Sequence, residues 1–314
     1  MNDTPFTVTA DLDLGSRVAP YLRDSGGDVT VEEGEVPASL ADVSSEGGAY
    51  QVAGDRFLLR IPNGASYLVE GGRRIVYARG GASDRDVALF LLGTAWGALC
   101  YQRGLIPLHA SGVIHEGRVH AFTGISGAGK STLAAALSDR GLSYFTDDVL
   151  IIDPELIGPH EAVCFAGQKD MKLWEDALEL TGSVRLGAVR DQPDFRKFFA
   201  APRTPIENSS GHLSSLTLLR NTNTRRGREP IEIAPVTGAV ALKSLRDSVY
   251  RVRLASAIMG TRKLYTVLAR LIAAVHVQTF DRPMQRDVFP RSTQALHDWI
   301  VSFETRTQRG GGAG

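Results

Sequence analysis

The stretch GISGAGKST, residues Gly124 to Thr132, decides how the rest of this 314-residue chain is read. It fits G-x-x-x-x-G-K-[ST] at Gly124, Gly129, Lys130 and Ser131. Glycines at this spacing let a backbone wrap tightly, so that successive N–H groups point inward at phosphate oxygens. Lys130 is then placed to reach the outer phosphates and the Ser131 hydroxyl to ligate Mg²⁺. The context is also the required one. An apolar run, VHAF, precedes the loop, and STLAAALSDR follows as a helix whose N-terminus favours an anion. Gly124, Ser126, Gly127, Ala128, Gly129, Lys130, Ser131 and Thr132 are therefore the expected nucleotide-binding residues. A plain Gly-Ser turn would need neither the flanking strand nor the helix.

Outward from the loop, the pair Asp147-Asp148 stands 17 and 18 residues beyond Lys130, at the end of the apolar LSYFT. A strand beside the loop strand would bring both carboxylates to the sheet edge where α/β proteins bind ligands. Two acids there can divide the work, one sharing Mg²⁺ with Ser131 and the other taking a proton from an attacking hydroxyl. His109 lies 21 residues before Lys130, after the apolar LIPL. His115 and His120 add no metal site, because no convincing third ligand accompanies them. An NKxD element of the guanine-nucleotide type is absent.

The flanking sequence sets the organisation. YQVAGDRFLLRIP, ASYLVEG and RRIVYARG are short apolar runs between turn residues, which predicts a β-rich unit over 1–82. At Ser83, an N-cap, the pattern changes to helical spacing through Val87, Phe90, Leu91, Thr94, Ala95, Ala98 and Leu99. LIPLHASGVIH and RVHAFTG read as two strands entering the loop, SYFTDDVLIID as a strand interrupted by the acids, LSSLTLLR and VHVQTF as strands, and RKLYTVLARLIAAV as an amphipathic helix. A second, α/β domain is assigned to 83–304, with 305–314 a disordered tail. No internal repeat is present.

Composition limits the partners. Lys plus Arg number 35 and Asp plus Glu 35, so nothing in the bulk charge calls for nucleic acid or an anionic membrane. No apolar run is long enough to span a bilayer, and the start MNDTPFTVTADLDLG has no signal-peptide pattern, so a cytoplasmic protein is expected. Cys100 and Cys164, both in apolar surroundings, are expected as buried thiols.

LHASGV, GISGAGKS and FTDDV, taken in that order and spacing over roughly 105–153, resemble the nucleotide-binding core of the bacterial HPr kinase/phosphorylase family, whose fold is similar to phosphoenolpyruvate carboxykinase. The resemblance implies an α/β P-loop kinase core that uses ATP and Mg²⁺ to phosphorylate a serine hydroxyl. It implies catalytic roles for Asp147, His109 and Lys130, with Asp147 as the base, His109 supporting it, and Asp148 sharing the metal with Ser131. The first eighty residues differ from that enzyme's N-terminal domain, and its second, glycine-rich signature is missing. LFLLGTAWGALCYQRGLIPLHAS and DMKLWEDALEL look closer to the lasso-peptide kinases of that wider group, which modify a serine of a precursor peptide. The alternatives are an HPr-type kinase/phosphorylase, a small-molecule kinase, or a nucleotide-responsive binding protein. A homo-oligomer is left open.

Two basic stretches are candidates for closing over a transferring phosphoryl group: Lys169 and Lys172 before the helix WEDALEL, and Arg196 and Lys197 in a loop between aromatic residues. Against each stands the reading as a solvated basic face. The run TNTRRGRE, with Arg225, Arg226 and Arg228, reads as an exposed hairpin turn. VYARG, in the first unit, is a candidate sheet edge for an extended peptide.

Overall fold

Alternating apolar residues between Gly, Asp and Asn turns give the first unit its sheet. In the computed structural model, which describes residues 3–167, 170–189, 195–204, 208–222 and 231–303, seven strands form it. They are β1 (Val8–Ala10), β2 (Val29–Glu33), β3 (Ser45–Gly47), β4 (Tyr50–Ala53), β5 (Arg56–Arg60), β6 (Ser66–Glu70) and β7 (Arg74–Ala78), in the order β1-β2-β7-β6-β5-β4-β3. The β4–β5 hairpin turns on Gly54 at φ 57°, a conformation that costs a residue with a Cβ. Strand period sends Phe57 and Leu59 to the main core and Leu58 to a smaller cluster with Leu40, Leu68 and Val76 on the other face. VYARG, expected as an edge, falls in β7. That strand is paired on both sides, with β2 and β6, so its backbone groups are already used.

Ser83 caps α1 (Asp84–Phe90) by accepting the Asp86 N–H, with Asp84 and Asp86 at the positive end of the helix. A wider π turn over Leu91–Ala95 then leads into α2 (Trp96–Gln102). Trp96 meets Phe6 and Tyr21 with ring centroids 5.2 and 5.3 Å apart, and the Tyr21 hydroxyl donates to the Ala166 carbonyl at 2.8 Å. One apolar cluster therefore runs from the first sheet through these helices into the second sheet. The boundary near residue 82 is a change of pattern within a shared core.

The second sheet is built from β8 (Ile106–Leu108), β9 (Ala110–His115), β10 (Arg118–Thr123), β11 (Ser143–Thr146), β12 (Leu150–Ile157), β13 (Ala162–Ala166), β17 (Ser210–Asn221), β18 (Glu232–Pro235) and β19 (His276–Arg282). Between them β14 (Met171–Trp174), β15 (Val184–Ala188) and β16 (Lys197–Ala201) make a separate three-stranded sheet. The large sheet runs β11-β9-β10-β17-β13-β12-β8, and β19 pairs with β17 and β18. β10 and β19 each pair in parallel with β17, so the C-terminal ends of the three share one edge. Beneath one face lie α3 (Lys130–Ser138) and α8 (Phe289–Val301), whose Leu133, Leu137, Leu296, Trp299 and Ile300 pack together. α4 (Glu175–Thr181) joins that side through Ala177 and Leu178. The other face takes α5 (Gly238–Ser248), α6 (Val252–Met259) and α7 (Thr261–Ala274). Helices on both faces are the arrangement that lets a mostly apolar strand bury both of its sides.

Three details depart from the sequence reading. LIPLHASGVIH is two strands, because His109 leaves the ladder: its N–H donates to the Ser248 carbonyl at 2.7 Å, and β8 and β9 take distant places in the sheet. β11 is one strand removed from β10, with β9 between them. Lys197 opens β16 instead of sitting in a loop, while Lys172, in β14, precedes α4 as the sequence reading has it. Lys169, the run with Arg225, Arg226 and Arg228, and the tail 305–314 lie outside the described residues. Cys100 and Cys164 are free and buried. No described helix is long and apolar enough to cross a membrane.

Candidate phosphoryl-transfer site

The glycine loop leaves β10 at Thr123, whose hydroxyl donates to the His109 carbonyl at 2.9 Å, and enters α3 at Lys130. Gly124, Gly127 and Gly129 have φ of 153°, 82° and 82°, and a Cβ on Gly124 would fall 2.8 Å from the Leu219 carbonyl oxygen. Lys130 is 7% exposed and its Nζ bonds the Gly124 and Ile125 carbonyls at 3.0 and 3.3 Å, spanning the loop. Burial lowers its ammonium from the ordinary lysine range, an effect that Asp147 and Asp148 partly oppose. An anion in the loop would work in the same direction as those two acids.

The acids face different surroundings. Asp147 is 1% exposed: its Oδ1 accepts from Ser111 at 2.5 Å and Ser131 at 2.7 Å, and its Oδ2 accepts from the Lys172 N–H at 3.0 Å. Asp148 sits at φ 70° in a tight turn closed by the Val149 N–H on the Asp147 carbonyl. That left-handed backbone costs a non-glycine residue roughly 1–3 kcal/mol and turns this side chain away from its neighbour's. The Asp148 carboxylate is 34% exposed, 3.2 Å from His109 Nδ1 and 3.4 Å from Lys172 Nζ. Burial works to raise its carboxyl, but the His109 hydrogen bond and the charges of Lys172, His109 and Lys197 hold it well below the usual range. His109 Nδ1 also lies 2.9 Å from the Asp148 carbonyl oxygen.

The pairing thus runs opposite to the one implied by the family resemblance. Ser131 is bonded to Asp147, and His109 to Asp148. The Ser131 hydroxyl and the Asp147 carboxylate are hard oxygens in contact at a helix N-terminus. Such a pair suits Mg²⁺, which takes one or two protein carboxylates and completes its shell with phosphate oxygens and water. No described group of three or more His, Cys, Asp or Glu forms a cage of its own.

Ser126, Gly127, Gly129, Lys130, Ser131, Thr132, both acids, His109, Lys172 and Lys197 line one cavity. Arg196 does not. It is 65% exposed and paired with Glu175 at 2.5 Å, on the outside of the small sheet. The sequence reading missed Ser111, which is buried against Asp147, and the wall contributed by Arg282, Met284, Gln285, Arg286 and Phe289. Ser111 follows His109 by two residues, a strand-period signal that could have found it. The far wall comes from the β19–α8 connection, more than 150 residues from the glycine loop in sequence, where no motif marks it.

No protein-family model matches this chain, and no curated protein matches it. Among solved structures it is similar to the Hpr(Ser) kinase/phosphatase from Coxiella burnetii, at 13% identity, over 64% of this chain and 98% of that one, with a TM-score of 0.34.

Proposed function

We propose that the chain is an ATP-dependent kinase that transfers the γ-phosphoryl group to a serine hydroxyl. The observation that carries this reading is the division between the two acids: one buried against the glycine-loop serine, the other open to the cavity beside a histidine and a lysine. Ser131 and Asp147 would hold Mg²⁺, which supplies charge neutralisation on the phosphate chain when bound. Ser111 and the Lys172 N–H fix the Asp147 carboxylate so that it arrives already oriented. Asp148 takes the proton as the acceptor oxygen forms its bond to the γ-phosphorus and the bond to the β-phosphate oxygen breaks. His109 orients Asp148 on one side and Lys172 on the other. Lys130 and Lys172 offset the negative charge on the phosphoryl oxygens.

For the acceptor we favour a serine of a linear peptide, of the lasso-precursor kind, over a folded protein or a small molecule. The likeness of LFLLGTAWGALCYQRGLIPLHAS and DMKLWEDALEL to the lasso-peptide kinases supports this. So does the cavity rim, where Trp174 and Met284 are 48% and 45% exposed and suit the apolar side chains of an extended chain. The test is mass spectrometry of precursor peptides ending in serine, incubated with protein, ATP and Mg²⁺. A gain of one phosphoryl group, lost when that serine becomes alanine, is expected. Efficient phosphorylation of folded HPr with none of such peptides would return the chain to the HPr-kinase reading, and binding without any transfer would make it a nucleotide-responsive binding protein.

A further inference from the structure

Arg282 is the largest fully buried side chain among the described residues, at 1% exposure, yet it borders the cavity beside Gly129 and Lys130. Strand register brings it there. Thr123 of β10 is level with Leu218 of β17, and Leu218 with Thr279 of β19. β19 continues three residues further, about 10 Å at the rise of a strand, past the point where β10 turns into the glycine loop.

The guanidinium is held in place but not satisfied. Nη2 donates to the Ala128 carbonyl at 3.2 Å, and the rings of Phe280 and Phe289 stand 5.6 and 5.7 Å from the guanidinium carbon. Nε has no partner. No described carboxylate forms an ion pair with it, since the adjacent Asp281 is turned to Arg220 at 2.6 Å. A guanidinium offers five N–H donors, and burying one without an anion is among the more costly arrangements in a fold. Burial alone pulls this one down to about 10, the direction expected of a cation without a counter-charge. A Cβ on Gly129 would come 2.9 Å from Nη2, so the guanidinium forms part of the loop's own wall.

We propose that Arg282 is a phosphate-binding residue whose guanidinium donates to the phosphate chain of the bound nucleotide beside Gly129, a role that rests on the kinase reading above. The fork geometry of arginine fits a phosphate bidentately, and the missing counter-charge arrives with the ligand. The competing role is a strut that braces the loop through Ala128. The two roles predict different results for Arg282→Gln, which removes the charge and, ending at the level of Nε, gives up the reach to Ala128 as well.

The experiment measures ATP affinity by calorimetry and the ligand-free melting temperature of wild type and Arg282→Gln, with Arg282→Met as the second variant should glutamine fail to fold. A ligand Kd about 10- to 100-fold higher is expected, the loss of one charge-assisted hydrogen bond. The ligand-free melting temperature should be unchanged or higher, because an unpaired buried charge has gone. An ATP Kd within twofold of wild type, or a raised Kd accompanied by a fall of several degrees in ligand-free melting temperature, overturns the assignment. Failure of the wild-type protein to bind ATP at all would instead overturn the kinase reading on which it rests.

Discussion

Exchanging each acid for its amide in turn gives the sharpest test of the site. In Asp147→Asn the amide oxygen can keep the Lys172 N–H, while the NH₂ turns to Ser111 and Ser131, whose hydroxyls can rotate to accept. The loss is the difference between charged and neutral hydrogen bonds, about 1–3 kcal/mol of folding stability. The Asp148→Asn exchange keeps the turn, because asparagine tolerates the φ of 70°, but it leaves His109 and the buried Lys172 without their carboxylate and should also cost stability. The functional effects should separate the two. Asp147→Asn should abolish the part of ATP affinity that depends on Mg²⁺. Asp148→Asn should bind ATP and Mg²⁺ as wild type does and lose transfer by about 10²–10⁴-fold, the usual worth of a positioned base. Calorimetry with and without Mg²⁺ reads the first quantity, and single-turnover transfer to a serine peptide reads the second. Reversed phenotypes would refute the roles drawn from Ser131–Asp147 and His109–Asp148 contacts and restore those implied by the family resemblance. Two silent substitutions would remove the kinase reading altogether.

Three further outcomes are expected. Lys130→Ala should melt within a few degrees of wild type but neither bind ATP measurably nor transfer phosphate, and normal turnover would exclude a phosphate role for the loop. Burial, with smaller contributions from His115 and Arg118, drives the His120 imidazole down to about 3, against an ordinary value near 6.5. The unfolded chain therefore binds this proton first as pH falls, so stability present above pH 6.5 is lost progressively toward pH 3, about 2 kcal/mol by pH 5. Denaturant titrations at pH 7 and 5 should show that loss in wild type and not in His120→Gln; equal pH dependence would refute it. Removal of residues 1–82 should yield an insoluble or loosely packed remainder, because Leu91, Leu92, Trp96 and Leu99 lose the sheet that covers them, at about 1.5–3 kcal/mol for each large side chain. A soluble fragment with a cooperative melt would refute the shared core.

How far the site could be read in advance followed distance along the chain. The glycine loop, the two acids and His109 were legible because each is a local pattern of residue type and spacing. Which acid meets Ser131 was not. Adjacent residues on a strand point to opposite faces, and a left-handed turn at Asp148 settles their directions in a way that no residue count reveals. Arg282 was illegible because parallel register, not spacing, carries it to Gly129. The same cause undid VYARG as an edge: its apolar alternation marks a strand, but its place in the sheet depends on β2, more than forty residues upstream. Arg196 and Lys197 are neighbours in sequence and part company at the start of β16, one to the outside and one to the cavity.

The hydrogen bond from Tyr21 to Ala166 joins residues 145 positions apart. During synthesis at about 5–20 residues per second, the partner of Tyr21 is made roughly 7–30 s after it. For that interval Phe6, Tyr21 and Tyr67 have no complete core to enter, even after every strand of their own sheet has left the ribosome. The nascent N-terminal unit is accordingly a waiting half, exposed to chaperones and to other nascent copies until the second sheet arrives.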